Sequence, residues 1–220
     1  MKRKTTRTAR TEPWHPHGWQ AQSLLLSYPD EQFAQRLALA GRVAATLPDP
    51  VARPLLRFTA HVEQTAPADL AAAYVATFDH RKRCCPYLTY YAHGDTRKRG
   101  IGLLRLKQTY AAAGWRLGDD ELPDHLAVVL EFAATDPAAG MRLLTEHRAG
   151  LELLRLALND DGSPWAQVLD SVSATLPALF GDDREAVMRL AAQGPPEEQV
   201  GLAPYASPVF LPDPVVGGPR

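Results

Sequence analysis

Cysteine, long apolar runs and net charge are all scarce in this sequence, and each shortage excludes a class of protein. Only two of the 220 residues are cysteines, Cys84 and Cys85, and they are neighbours. Adjacent cysteines close only a strained ring, so no disulfide framework is available and a reducing cytosol is the expected setting. No stretch approaches about 18 uninterrupted apolar residues, so no membrane-spanning helix is expected. Lys2, Arg3, Lys4, Arg7 and Arg10 are interspersed with threonines where a signal peptide would need an apolar core. A formal net charge of -1 argues against a protein that coats nucleic acid or an anionic membrane. Alternating, β-branched segments are missing, and so a sheet is not expected. There is no G-x-S-x-G elbow, no H-E-x-x-H, no P-loop and no G-x-G-x-x-G fingerprint, which leaves hydrolase and nucleotide chemistry without support.

What is present is helical periodicity. Phe33, Leu37, Ala40, Ala44 and Leu47 mark one apolar stripe across residues 31–47. Leu55, Phe58, Thr59 and Val62 mark a second, with Pro54 suited to a first helical turn. Leu70, Ala73, Tyr74, Thr77 and Phe78 follow. Asp95 is placed to cap a long helix through Ile101, Leu104 and Ala111, with Gly114 at its end. Pro123 opens Leu126–Ala133, with Asp124 in the first turn. One continuous helix is expected from Asp136-Pro137 to Leu158, another from Ser163-Pro164 to Leu176, and a shorter one over 184–193. The pattern predicts an all-α protein, a single compact helical domain of about nine helices over residues 14–194. A flexible basic leader is expected at 1–13.

Proline is over-supplied, with 19 residues against a background of about 5%. Seven of them lie in 195–220, where the helical pattern stops. That segment reads as an extended Pro/Gly-rich tail carrying Val209, Phe210, Leu211, Val215 and Val216 as apolar beads. It is either a floppy terminus or a docking segment that folds onto this or another protein.

Several clusters invite a chemical reading. Cys84 and Cys85, with His80 and His93 nearby, lack the gaps of a structural zinc site and read as small apolar residues. Arg81, Lys82 and Arg83 would activate Cys84 by lowering its thiol pKa, and without a positioned base this points to redox sensitivity rather than catalysis. His15 and His17 read as a solvated pair. His80–Arg83 and Arg97–Arg99 flank Tyr87, Tyr90 and Tyr91, a mixture suited to single-stranded nucleic acid or to a polypeptide groove. Near-zero net charge makes nucleic acid the weaker option. In Glu121-Leu122-Pro123-Asp124-His125-Leu126, a carboxylate and an imidazole at a helix start could hold a partner's amides or charges. They could equally be a cap and a satisfied histidine.

Taken together, Tyr74–Asp79, Tyr87–Gly100 and Glu121–Leu126 resemble the NarJ family of nitrate reductase molybdenum cofactor assembly chaperones, within the TorD/DmsD-like group. Leu24-Leu25-Leu26-Ser27-Tyr28-Pro29-Asp30 is similar to that family's opening helix and turn, and the resemblance spans about Leu24 to Leu176. It implies a cytoplasmic chaperone rather than an enzyme. The implied partner is the incomplete catalytic (α) subunit of respiratory nitrate reductase, through its N-terminal segment and apo body, with no nucleic acid and no direct membrane insertion. The implied task is to assist insertion of bis-molybdopterin guanine dinucleotide, without binding a cofactor stably, before the subunit docks at the membrane. The resemblance carries over Glu121, Pro123, Asp124 and His125 as the signature and Tyr90–Gly100 as a marker. Tyr74, Tyr90 and Tyr91 would line a client groove, Arg97, Arg99 and Asp124 would anchor charges, and His93 and Asp95 would join the same client-binding set. Replacing Asp124 or His125 by Ala is then expected to weaken client maturation with the fold intact. The alternatives are a chaperone for a dimethyl-sulfoxide or trimethylamine-oxide reductase subunit, and a nucleotide-dependent enzyme acting on the cofactor.

Overall fold

A computed structural model of the chain describes residues 11–118, 121–179 and 181–194. Eleven α-helices occur among them: α1 (His15–Leu26), α2 (Phe33–Ala44), α3 (Asp49–Glu63), α4 (Pro67–Phe78), α5 (Leu88–His93), α6 (Arg97–Ala112), α7 (Leu126–Thr135), α8 (Pro137–Glu146), α9 (Arg148–Asp160), α10 (Ala166–Ala174) and α11 (Asp182–Gln193). A single 3-10 turn covers Lys82–Cys84, and the described residues contain no strand, only one isolated antiparallel bridge between Tyr87 and His125. The all-α expectation is borne out. Residues 1–10 of the expected leader and the whole of 195–220 lie outside the described residues.

The core forms where α1 packs on α7 and α2 while α10 packs on α3 and α9. Trp19, Leu25, Phe58, Leu130, Leu154 and Trp165 are wholly removed from water there. Burying side chains of this size contributes roughly 1.5–3 kcal/mol each, before the entropy of ordering them is counted. Polar stitches fix the helix registers. The Trp19 indole N–H donates to Thr175 Oγ1 at 3.0 Å, and the Gln22 amide donates to Ser171 Oγ at 2.8 Å. Ser171 in turn donates to the Val51 carbonyl at 2.8 Å, joining α1, α10 and α3 through one hydroxyl. Trp165 and Tyr74 donate to the carbonyls of Leu25 and Leu26, closing the open end of α1.

The count of helices exceeds the expected nine for two physical reasons. The expected run from 136 to 158 divides at His147, whose backbone (φ -96°, ψ 14°) leaves the helical basin. Both pieces bury faces that continue one apolar stripe, so periodicity could not register the break. Helix α5 is only six residues long, too short to show a period. Pro54 lies inside α3 rather than in its first turn, because the helix begins earlier, with Pro50 in that place. His15 is buried and its Nε2 lies 2.9 Å from the Thr175 carbonyl, so only His17 remains of the expected solvated pair.

Candidate functional site

Within Glu121–Leu126, Asp124 is not in the first turn of a helix. Leu88 N–H donates to the Asp124 carbonyl and Leu126 N–H to the Pro86 carbonyl, both at 2.9 Å. This pairing holds His125 extended (φ -63°, ψ 131°), so α7 starts at the next residue, Leu126. His125 is the N-cap, its Nδ1 accepting from the Ala127 N–H at 3.3 Å. Asp124 therefore lies outside the helix, where its backbone is committed to the partner segment and its side chain points inward. The Pro123 carbonyl accepts from the buried Tyr110 hydroxyl at 2.6 Å.

Asp124 is fully buried. Its Oδ2 accepts from the Thr89 hydroxyl and lies 3.4 Å from Arg99 Nη2. Its Oδ1 is buried with no hydrogen-bond partner among the described residues. Arg99 gathers the neighbourhood: its Nε reaches Thr89 at 3.3 Å, its Nη1 reaches Asp95 at 3.6 Å, and its guanidinium lies 5.4 Å from the Tyr87 ring centroid. The Tyr87 ring meets His125 edge-on. Burial pushes the His125 pKa down, against the opposing charges of Asp124 and Asp79. His147 is pushed down in the same way, again with Asp124 opposing.

The structure thus brings Asp95, Arg99, Asp124 and His125 together with Tyr87 and Thr89. It leaves other expected site residues apart. Tyr74 is buried between Phe78 and Trp165, where burial raises its pKa. Tyr91 is buried and donates to the Cys85 carbonyl at 2.9 Å. His93 is half-buried near Gly102, while Arg97 and Glu121 are exposed. Because Asp124 carries no exposed atoms, the expectation that Asp124→Ala spares the fold needs correcting: that change removes the partner of Thr89 and Arg99 inside the protein. Thr89, between two motif tyrosines, and Gly150 were missed. A Cβ on Gly150 would stand 2.7 Å from Tyr91 Cβ, so only glycine lets α9 come this close to α5.

The described residues also form two grooves. One, of about 540 Å³, runs between α2, α3 and α4 over Phe33, Leu37, Val62 and Leu70, with Asp30, Glu31 and Glu63 along it. The other, of about 460 Å³, lies between the 3-10 turn, α5, α9 and α11 and is lined by Tyr90, Tyr91, Leu153, Leu156 and Leu190, with Lys82 and Arg83 alongside. Helix α5 connects the two settings, turning Thr89 to Asp124 and Tyr90 and Tyr91 to this second groove. Arg81 and Arg83 both pair with Asp161, which ties down two of the cations behind the nucleic-acid reading. Cys84 is buried and its pKa is raised by that burial, with Arg83 and Arg81 only opposing; the expected activation of its thiol is overturned. Both cysteines are free, and the described residues hold no cluster of three or more His, Cys, Asp or Glu able to bind a metal. No helix among them is long and apolar enough to cross a membrane.

Residues 44–170, which contain both the junction and most of the second groove, match the family model described as nitrate reductase delta subunit. The chain belongs to that family. It is 35% identical over 161 residues to the probable nitrate reductase molybdenum cofactor assembly chaperone NarJ of Bacillus subtilis, covering 71% of this chain and 86% of that one. Against the NarJ chaperone of Escherichia coli K12, identity is 32% over 152 residues, 67% of this chain and 64% of that one. It is also 40% identical over 163 residues to the nitrate reductase-like protein NarX of Mycobacterium tuberculosis, covering 74% of this chain but only 24% of NarX. The chain thus spans about a quarter of that relative's length. Among solved structures, a putative redox enzyme maturation protein from Archaeoglobus fulgidus superposes with a TM-score of 0.54 at 22% identity, over 86% of this chain and 99% of that one, a likeness of fold. The NarJ-type resemblance read from the motifs is borne out at the level of the family.

Proposed function

We propose that this protein is an assembly chaperone that holds the catalytic subunit of a respiratory nitrate reductase while its molybdenum cofactor is inserted. The observation that carries this reading is the 35% identity to a NarJ chaperone across 86% of that chaperone's length. The client is the cofactor-free α subunit, engaged through its N-terminal segment and its unfinished body, in the cytoplasm and before docking at the membrane. The cofactor delivered is bis-molybdopterin guanine dinucleotide, which the chaperone helps to place but does not keep. No bond is made or broken on the chaperone, and so it is not an enzyme.

The geometry supports a division of labour within the motif. Buried Asp124, Pro123 and Tyr74 hold the surface in shape, while exposed or half-exposed Tyr90, His93, Asp95, Arg97, Arg99, Glu121 and His125 are within a client's reach. An apolar groove beside polar anchors suits an amphipathic segment. Ordering such a segment on binding costs free energy, which keeps the complex transient.

Pull-down against the nitrate reductase α subunit, with and without its N-terminal segment, tests the reading. Retention of the apo subunit, weakened by loss of that segment, is the expected result. Failure to bind either form, or preference for the catalytic subunit of a dimethyl-sulfoxide or trimethylamine-oxide reductase, overturns it.

A further inference from the structure

We infer that residues 195–220 dock, as an extended proline-rich strap, into the groove between α5, α9 and α11 of their own chain. Four observations converge on this occupant. The first is position. Gly194 lines the groove, and its backbone (φ 72°, ψ 176°) ends α11 and turns the chain at the groove's edge. Leu190 and Ala191 of the same helix form one wall, so the segment begins where the groove does.

The second is reach. Phe210 follows Gly194 by sixteen residues, which span up to about 50 Å when extended. Helix α9, the floor of the groove, has 13 residues and is about 20 Å long. The apolar beads Val209, Phe210 and Leu211 can therefore reach any part of it.

Chemistry is the third. The groove presents Leu153, Leu156, Ala157 and the rings of Tyr90 and Tyr91, and Leu156 is 42% exposed despite its size. Aromatic-lined apolar grooves accept proline-rich chains, whose extended backbone is preset and loses little entropy on binding. Pro195, Pro196, Pro204, Pro208, Pro212 and Pro214 space the beads along such a chain.

The fourth is charge. Glu197 and Glu198 lie three and four residues beyond Gly194 and can reach Lys82, while Arg83 alongside is already paired with Asp161 and Asp160 is the one acidic residue lining the groove. The groove on α2–α4 carries Asp30, Glu31 and Glu63 instead and repels the same pair. Charge thus selects between two apolar surfaces of similar size.

A tethered segment acts at an effective concentration of order mM. The groove then carries its own competitor, and any partner that uses it must displace residues 195–220 first. This follows from the groove and the segment alone, whichever client the protein serves.

The test places the photoreactive analogue p-benzoylphenylalanine at Phe210 in the full chain. After irradiation, cross-links are mapped by mass spectrometry in a mixture of isotopically heavy and light protein. Cross-links within one chain to α9 and α11, around Leu153, Leu156 and Leu190, are expected. Leu156→Glu, and Glu197→Lys with Glu198→Lys, should each lower their yield several-fold, while Ala34→Glu in the other groove leaves it unchanged. Cross-links to the α2–α4 groove, cross-links between heavy and light chains, or yields unaffected by Leu156→Glu would overturn the inference.

Discussion

Glu152 and Asp124 are both withdrawn from water, at 3% and 0% exposure, yet their surroundings differ. Glu152 sits in the middle of α9 with both oxygens occupied. Oε1 takes Arg148 at 2.9 Å and Ser173 at 2.7 Å, while Oε2 takes Arg155 at 2.8 Å. Burial pushes its pKa up, but the hydrogen bonds from Arg155 and Ser173 and the nearby Arg148 charge outweigh burial and hold it low. Asp124 sits in the turn before α7, with one oxygen shared between Thr89 and Arg99 and the other unmet. A buried acceptor left without a partner costs about 1–3 kcal/mol. Glu152 is thus a completed joint between α9 and α10, whereas Asp124 is an incomplete one, and it is the incomplete joint that falls in the Glu121–Leu126 motif.

The largest expected effect comes from removing the completed joint. Glu152→Ala removes the buried carboxylate shared by Arg148, Arg155 and Ser173, and should lower stability by about 3–5 kcal/mol in urea unfolding. Arg155 is cushioned, since it is 29% exposed and keeps Asp170 at 2.9 Å. Asp124→Ala should cost less, about 1–3 kcal/mol, because Arg99 is 22% exposed and can turn to Asp95 or water. If Asp124→Ala proves the more damaging, the contrast between the joints collapses.

Gly150→Ala tests the contact that couples the α9 region to the α5 region. Its methyl would press on Tyr91, and an overpacking cost of about 1–3 kcal/mol is expected, together with altered tyrosine signals in near-ultraviolet circular dichroism. Unchanged stability and spectrum would show that α9 and α5 yield to one another freely.

The smallest and most selective effect is on pH dependence. His125 and His147 have folded pKa values below their ordinary 6.5, so the unfolded chain binds protons more readily than the folded one just below that pH. Stability is then complete above about 6.5 and falls as the pH drops through the window between 6.5 and the lowered values. The Asp124 charge opposes the lowering of both histidines, so Asp124→Asn should steepen this fall. Glu152→Gln should leave the window untouched, because Glu152 titrates below its ordinary 4.5. Urea midpoints measured across the range for the three proteins would show equal slopes if the Asp124 charge has no such influence.

Much of the fold was legible in the sequence because long amphipathic helices announce their period. The stripe through Phe33, Ala40 and Ala44 became α2, and Asp136 did cap α8, accepting from the Ala139 N–H at 3.0 Å. Helix α5 was not legible, since six residues complete fewer than two turns. The Glu152 joint could have been sought from the spacing of Arg148, Glu152 and Arg155, four and three residues apart. Its third partner, Ser173, comes from α10 and has no local signal. For the site, the sequence singled out the segments that meet around Asp124 but not how their side chains are placed. Tyr90 and Tyr91 border a groove, while Tyr74 and Asp124 are interior.

By itself, then, the sequence determined the all-α class, the residues that face inward on most helices, and the family. These follow from local periodicity and from ordered motifs, which need no knowledge of what packs where. Only the tertiary structure decided that Asp124 is buried against Thr89 and Arg99, that His147 breaks a helix, and that the two unequal grooves lie where they do. Each of these depends on a partner far away in the chain, and a helical stripe records that a face is covered without recording what covers it.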